Sequence, residues 1–244
     1  MGSWRLKRYL IVNADDFGQS HGVNRGIIEA HEHGIATSAS LMVRWPAARE
    51  AARYAVGHSR LSLGLHFDFA EWTFENGNWR PLYEVVSQND GRGVAKEVKR
   101  QLAIFKRIVG RDPTHLDSHQ HVHRNRRIRA VFEELANTLG VPLRGLDPRV
   151  RYVGNFYGQS TPGRSRPALI STRALLKIIR QLRPGFTELG CHPGHANDLQ
   201  SMYREERQTE VETLCDPCVR SALTEMGIQL CSFHDFSNGC GYKG

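Results

Sequence analysis

The stretch YLIVNADDFG, residues 9–18, runs from apolar side chains into two adjacent carboxylates and a glycine. A short apolar run bounded by turn residues is typical of a buried β-strand. Three later stretches follow the same plan and finish on histidine or acidic side chains: LSLGLHFD (61–68), THLDSHQHVH (114–123) and FTELGCHPGH (186–195). Because the reacting groups of parallel α/β barrels lie at the carboxyl ends of the strands, we expect these four ends to form one site.

Apolar strands and amphipathic helices alternate along the chain, which is typical of a mostly parallel sheet with crossover helices. The predicted strands are residues 9–14, 37–43, 61–67, 114–119, 141–145, 186–191 and 228–233. The predicted helices are residues 23–33, 47–56, 94–109, 126–139, 171–182 and 201–213, the last continuing past Pro217 to Met226. This pattern predicts an α/β fold, a distorted or incomplete (β/α) barrel of about seven parallel strands with its active site at their carboxyl ends. With 244 residues, one domain spanning residues 1–244 is expected.

Two long segments, residues 69–92 and 147–167, do not fit this alternation. Long connections in compact domains are often lids or binding loops, and disorder is the alternative. Both follow strands that lead to the predicted site, so we expect them to form walls of a substrate pocket.

The chain carries a formal net charge of +8, so an anionic partner such as nucleic acid has to be considered. The basic residues are dispersed, however, and the densest cluster, residues 123–129, opens a predicted helix and contains no aromatic side chain for base stacking. We therefore expect a solvated helix face there, with contact to an anionic substrate group as the alternative, and no nucleic-acid partner.

Cysteine content and hydropathy indicate a soluble cytoplasmic protein. Five cysteines form an odd, unevenly spread set, which argues against a disulfide framework. Cys215 and Cys218 form a lone Cys-x-x-Cys; we expect incidental thiols there, with a zinc or redox role as the alternative. No apolar stretch approaches the roughly 18 residues that would span a bilayer. Residues 1–5 also lack the apolar core of a secretion signal.

The segment 114–123 places His115, Asp117, His119, His121 and His123 at alternate positions, which is the period of a strand. That period would put all five side chains on one face. Same-face neighbours on a strand lie roughly 6.5–7 Å apart, too far for one small metal ion to bind them all. The run should therefore supply one or two ligands, and the other ligands should come from the other strand ends.

Asp15 and Asp16 are adjacent, so their side chains would point to opposite faces of a regular strand. A bend at Phe17 and Gly18 would allow both into the site, where one carboxylate could bind a metal and the other accept a proton. The alternative is that the pair caps the helix that begins near His21. Beside three other polar strand ends, we favour catalysis.

At this point the chain resembles the YdjC-like carbohydrate deacetylases, the ChbG/HpnK group. The resemblance rests on five motifs in the order of that family: NADDFG (13–18), GLH (64–66), THLDSHQHVH (114–123), FYG (156–158) and ELGCHPG (188–194). It extends from residue 9 to about residue 235, nearly the whole chain.

The resemblance implies a hydrolase that removes an N-acetyl group from an amino sugar with the help of one divalent metal ion, magnesium or zinc. Carried over residue by residue, it implies Asp16, His66 and His119 as metal ligands, Asp15 as general base and His192 as general acid. Three protein ligands would leave open positions on the metal for water and substrate, as a catalytic metal requires.

Other side chains are candidates for substrate binding. Asp117 could also orient a metal ligand from beneath, whereas His115 is expected to be buried and hydrogen-bonded. The chain departs from the family at Asp68, which shares the face of His66, and at His195. The substrate-binding candidates are Asp68, Asp117, His121, His123, Tyr157 and His195.

The expected partner is a small N-acetylated sugar, oligosaccharide or glycoconjugate. We expect no membrane-spanning segment in the chain, and a homodimer is one option for its assembly. Two other functions remain open. The same metal site could serve a phosphoesterase or another ester hydrolase, although no glycine-rich phosphate cradle or second full ligand set is evident. The positive charge alone supports a nucleic-acid-binding protein, whose affinity would fall steeply with salt.

Overall fold

The computed structural model describes residues 7–195 and 197–237. The expectations about residues 1–5 and about Cys240 fall outside the described residues. Within them, Cys191, Cys215, Cys218 and Cys231 are free thiols. No helix in the described part of the chain is both long and apolar enough to cross a membrane.

The strands are numbered in chain order. They are β1 (Arg8–Phe17), β2 (Ser38–Leu41), β3 (Ser62–Phe67), β4 (Ala70–Glu75), β5 (Asn78–Glu84), β6 (Leu116–Ser118), β7 (Val150–Val153), β8 (Gln159–Ser160), β9 (Arg164–Ser165), β10 (Gly185–Cys191) and β11 (Ile228–Leu230).

The helices connect these strands. They are α1 (His21–Glu32), α2 (Ala48–Gly57), α3 (Gly91–Val109), α4 (Arg129–Leu139), α5 (Thr172–Arg180), α6 (Glu205–Cys215), α7 (Pro217–Glu225) and α8 (Phe233–Ser237), with 3₁₀ turns at His119–Arg124 and Pro167–Ile170.

The main sheet has seven strands in the order β6-β3-β2-β1-β10-β7, with β11 beside β1. All its pairings are parallel. Along one edge of β1, residues 8–10 pair with β11 and residues 13–17 pair with β2, while β10 takes the other edge. No strand pairing between β6 and β7 closes the ring in the described residues. The predicted α/β architecture, an incomplete barrel of parallel strands, is therefore confirmed as a curled half-barrel.

β1 is the centre of this sheet, and its residues are buried on both faces, as expected for a parallel sheet covered by helices. Leu10 and Val12 pack into the large core beneath the helices. Tyr9 and Ile11 face the other way, into a smaller cluster that includes Phe233 of α8. The carboxyl ends of the strands thus rest on a rigid, two-sided core.

Two predicted elements are wrong in the structure. Segment 141–145 contributes only an isolated bridge between Leu143 and Leu116, because Pro142 has no N–H to donate and Gly145 has a left-handed φ of 66°. The strand beside β10 is instead β7, inside a segment predicted as a loop. The last long helix does not continue past Pro217: Asp216 is extended, as the residue before proline tends to be, and separates α6 from α7.

The histidine-rich strand is shorter than predicted. β6 ends at Ser118, and the chain turns into a 3₁₀ segment in which Gln120 and His121 have left-handed φ angles. The alternation that would place all five polar side chains on one face therefore stops at the end of β6.

The two segments that did not fit the alternation both contain structure. Residues 69–92 include an antiparallel hairpin, β4–β5, whose tip at Asn76 and Gly77 has positive φ angles. Residues 147–167 include β7 and the short pair β8–β9.

Candidate metal centre and active site

The end of β1 brings two neighbouring carboxylates into the same site. The pairing between β1 and β2 shifts register between Ala14 and Phe17, and Asp16 has a left-handed φ of 67°. An irregularity of this kind re-aims side chains, so Asp15 and Asp16 both line one cavity. The bend includes Asp16 itself as well as Gly18, which has a left-handed φ of 93°. Ser20 caps the N-terminus of helix α1, so Asp15 and Asp16 do not serve as its cap.

Three side chains from three strand ends converge on one point. Asp16 Oδ1 lies 3.3 Å from His66 Nε2 and 3.2 Å from His119 Nδ1. Asp16 Oδ1 and His66 Nε2 are buried and have no hydrogen-bond partner. Buried polar atoms are rarely left unpaired, so this convergence of one carboxylate and two imidazoles is suited to a cation. Their potential ligand atoms all lie within 4.8 Å of one another.

Each imidazole contacts a further carboxylate through its other ring nitrogen. His66 Nδ1 donates to Asp117 Oδ1 at 2.7 Å, and His119 Nε2 donates to Glu71 Oε2 at 2.6 Å. Burial lowers the pKa of His66, but the charge and hydrogen bond of Asp117 raise it to about 9 overall. Burial likewise lowers the pKa of His119, but Glu71 and Asp16 raise it well above its ordinary value.

A buried arginine organises the acids beneath the site. Arg144 contacts Asp15 with two nitrogens at 2.6 and 2.7 Å and also reaches Asp117 at 2.5 Å and Glu188 at 2.6 Å. Burial raises the pKa of Asp15, but the charge and hydrogen bonds of Arg144, together with the His66 charge, hold the pKa below its ordinary value. Asp15 is therefore ionised at neutral pH.

A second arginine holds the other acid. Arg207, from α6, donates to Asp16 Oδ2 at 2.6 Å. Burial raises the pKa of Asp16, whereas Arg207 and the neighbouring His119 and His66 imidazoles bring it well below its ordinary value. With Oδ2 engaged by Arg207, Oδ1 is the oxygen of Asp16 left for a cation.

His192 lines the same cavity as the three-residue cluster. Its Nε2 is 3.7 Å from Asp15 Oδ2. The centroid of its ring lies 5.5 Å from the ring centroid of Tyr157 and 5.4 Å from that of Tyr203. Burial lowers the pKa of His192 to about 4, against the opposing effect of the Asp15 and Asp16 charges. The imidazole is therefore neutral near pH 7.

An open cavity of about 460 Å³ is lined by Asp15, Asp16, His66, His119 and His192. The hairpin β4–β5 supplies Trp72 and Trp79 to its wall, and the segment 147–167 supplies Tyr152 and Tyr157. Both segments that were predicted to form pocket walls thus border the cavity.

The substrate-binding candidates fall into two groups. His121 and Tyr157 lie on the cavity wall. Asp117 is fully buried below His66, in the orienting position that the sequence offered as its other role. His115 is buried as expected, hydrogen-bonded to Thr114 and Ser40.

Asp68, His123 and His195 lie away from the cavity wall. Asp68 is fully buried, and its oxygens accept from Arg44, Trp45 and Tyr83. His123 is also fully buried and hydrogen-bonds with Ser118 and the Arg144 carbonyl. His195 pairs with Glu29 and Gln208. The polar atoms of these three residues are engaged by other protein groups, and a substrate-binding role for them stays a prediction.

Sequence reasoning missed Arg144, Arg207 and Glu71. Arg144 could have been recognised from the sequence, because it is a charged residue inside the apolar segment 141–145 that was predicted to be a strand. Arg207 lies in a helix among many charged residues, and Glu71 lies in a segment predicted to be a loop, so neither differs from a solvated surface residue in sequence alone.

The comparisons with known proteins agree with this geometry. The family model described as "YdjC-like protein" matches residues 9–225. The chain is 35% identical to the carbohydrate deacetylase of Geobacillus stearothermophilus, over 95% of this chain and 99% of the relative. It is 32% identical to the chitooligosaccharide deacetylase of Serratia marcescens, over 94% of this chain and 100% of the relative.

A solved structure shows the same fold. The crystal structure of a candidate cellobiose-phosphate cleavage protein from Enterococcus faecalis V583 superimposes with a TM-score of 0.76 at 26% identity. The match covers 94% of this chain and 99% of that chain.

Proposed function

The chain belongs to the YdjC-like family, and we propose that it is a metal-dependent hydrolase that removes an N-acetyl group from a substrate containing an amino sugar. The observation that carries the proposal is the pair of unpartnered buried atoms, Asp16 Oδ1 and His66 Nε2, beside His119 Nδ1. They lie on the floor of an open cavity next to Asp15 and His192, two further groups able to exchange protons.

Asp16, His66 and His119 would hold one divalent cation, magnesium or zinc. Three protein ligands are typical of catalytic metal sites that keep a position open. When bound, the metal supplies a Lewis acid for the acetamide carbonyl and lowers the pKa of a water molecule. The mixed nitrogen and oxygen donors suit several divalent metals.

Asp15 is placed to act as the general base. Its two oxygens are fixed by Arg144, so the carboxylate keeps one orientation at the cavity floor beside Asp16. Its lowered pKa keeps it ionised and able to accept a proton from water at neutral pH.

His192 is placed to return that proton to the departing amine. Because its pKa of about 4 leaves it neutral near pH 7, it must gain a proton during the reaction. Asp15 Oδ2, 3.7 Å from His192 Nε2, is the neighbouring source once Asp15 has accepted a proton from water. The imidazole would then protonate the amine nitrogen as the C–N bond breaks.

The cavity suits a small carbohydrate ligand. Its volume of about 460 Å³ lies within the roughly 300–1,000 Å³ typical of ligand pockets. Trp72, Trp79 and Tyr157 offer flat apolar surfaces, and His121 adds a polar group. We propose an N-acetylated sugar, oligosaccharide or glycoconjugate as the substrate, acted on within one domain formed by residues 1–244.

Acetate release tests this function. A panel of N-acetylated mono- and oligosaccharides would be incubated with the protein before and after treatment with a chelator, and again after metal is restored. We expect acetate from at least one sugar, loss of activity on chelation and recovery with metal. Phosphate esters in the same panel serve as the comparison: turnover of these esters, with no acetate from any sugar, would overturn the proposal.

A further inference from the structure

Glu71 lies close to the proposed metal centre although it belongs to none of the motifs at the strand ends. It is the second residue of β4, it is 5% exposed, and its Oε2 accepts from His119 Nε2 at 2.6 Å. His119 directs its other nitrogen, Nδ1, to Asp16 Oδ1. The imidazole is thus held between Asp16 and Glu71.

The two histidines of the cluster are supported in the same way. His66 has one nitrogen beside Asp16 Oδ1 and the other on Asp117, and His119 has one nitrogen beside Asp16 Oδ1 and the other on Glu71. An outer carboxylate on a metal-binding histidine fixes its tautomer and ring orientation and increases its basicity. Glu71 therefore supports His119 in the same way that Asp117 supports His66: each carboxylate accepts a hydrogen bond from the imidazole nitrogen that faces away from Asp16.

The two carboxylates differ in where they are anchored. Asp117 is part of the central sheet and is fixed by Arg144 and Ser40. Glu71 is part of the hairpin β4–β5, whose second strand is mostly exposed. The same hairpin carries Trp72 and Trp79 on the cavity wall. One element thus supplies both a support for His119 and part of the surface that faces the ligand.

We propose that Glu71 is a positioning residue for His119, and that the Glu71–His119 contact couples metal binding to the docking of the β4–β5 hairpin over the cavity. This inference rests on the metal site of the proposed function. Metal binding at His119 Nδ1 fixes the imidazole with Nε2–H toward Glu71, which holds the base of the hairpin against the sheet. The hairpin in turn keeps His119 oriented for the metal.

Metal affinity tests the positioning role. Wild type, Glu71→Gln and Glu71→Leu would be titrated with Zn²⁺ against a chelating dye, with Glu75→Gln, an exposed acid on the same strand, as the matched control. Loss of an outer carboxylate typically weakens metal binding about 10- to 100-fold. We expect a loss in that range for Glu71→Gln, which keeps the shape of the side chain, a larger loss for Glu71→Leu, and none for Glu75→Gln.

The result for Glu71→Gln separates this inference from the proposed function. Affinity within twofold of wild type would overturn the positioning role while the metal site stands. Absence of Zn²⁺ binding by the wild type itself would overturn both.

Hydrogen exchange tests the coupling. On adding Zn²⁺ to the wild type and to Glu75→Gln, we expect slower amide exchange in residues 70–84. In Glu71→Gln, at a Zn²⁺ concentration that saturates the site, this protection should be lost. Equal protection of the hairpin in Glu71→Gln, or no protection in the wild type, would overturn the coupling.

Discussion

Asp15 and Asp16 are neighbours in the chain, yet each carboxylate is held by a different arginine. Arg144 fixes both oxygens of Asp15, whereas Arg207 takes one oxygen of Asp16 and leaves Oδ1 free. The left-handed backbone at Asp16 lets both carboxylates face one cavity, because a regular strand would send the two side chains to opposite faces. Adjacent identical residues can therefore do different chemistry.

The pair Asp15→Asn and Asp16→Asn tests this division. Asp15→Asn should keep its bound metal and lose turnover, because the base is removed while the three ligands remain. Asp16→Asn should bind metal more weakly, because a neutral amide replaces the anionic ligand. Metal content by elemental analysis, measured beside acetate release, distinguishes the two variants; equal metal loss in both would show that the roles are not separate.

His192→Ala tests the general acid. General acid–base groups contribute about 10²- to 10⁴-fold, so kcat should fall within that range with metal content unchanged. The loss should be smaller for an activated acetate ester, whose leaving group needs no proton, if the cavity accepts such a substrate. An equal loss on both substrates by a folded variant would assign His192 to substrate positioning instead.

At the scale of elements, strand β3 packs closely against the side chain of His115, the residue just before β6. Gly64 of β3 lies so near the ring of His115 that an added Cβ would approach His115 Nε2 to 2.4 Å. His115 cannot easily retreat, since its ring stacks on Phe233 at 3.9 Å. A glycine at this position therefore leaves room for the His115 ring against β3, beside the strand ends that lead to His66 and His119.

Gly64→Ala should therefore destabilise the protein. Overpacking of a well-packed core typically costs about 1–3 kcal/mol, and we expect a decrease in the free energy of unfolding within that range by urea denaturation. Gly57→Ala, at the end of α2 with no atom within 4 Å of an added Cβ, is the matched control and should change stability little. Wild-type stability of Gly64→Ala would show that the His115 ring can move aside without cost.

Helix α6 contains a buried acid, Glu210, that makes stability depend on pH. Burial raises the pKa of Glu210 to about 8, although it accepts hydrogen bonds from the His192 backbone N–H and from Tyr203. A raised carboxyl pKa means that the folded state binds the proton more tightly than the unfolded state. This contribution to stability is therefore present at low pH and is lost as the pH rises to about 8.

Glu210→Gln should weaken that dependence. The glutamine cannot ionise, so the free energy of unfolding should fall less between pH 5 and pH 8 than it does in the wild type, when unfolding is followed by urea titration at each pH. The variant loses one hydrogen-bond acceptor, so only the difference in pH dependence, and not the absolute stability, tests the prediction. Parallel pH profiles for the two proteins would contradict it.

At the scale of the whole molecule, the sequence predicted most of the fold. Local period and turn residues indicated β1, β3 and β10 and the polar ends that meet in the site, because those signals lie within a few residues. The hairpin β4–β5 was not predicted although its Asn76-Gly77 turn is a local hairpin signal. Strand β7 was not predicted because its partner, β10, lies far away in the chain. Arg144, Arg207 and Glu71 were missed for the same reason: their roles are set by tertiary contacts.

The identity of the metal ligands is the central claim, and locating the metal tests it most directly. Crystals grown with Zn²⁺ or Mn²⁺ would be measured by anomalous diffraction, which shows the position of the metal independently of the protein coordinates. We expect one strong peak at about 2.0–2.2 Å from Asp16 Oδ1, His66 Nε2 and His119 Nδ1. No peak among these three atoms, or a peak bound by other side chains with Asp16 unengaged, would contradict the account.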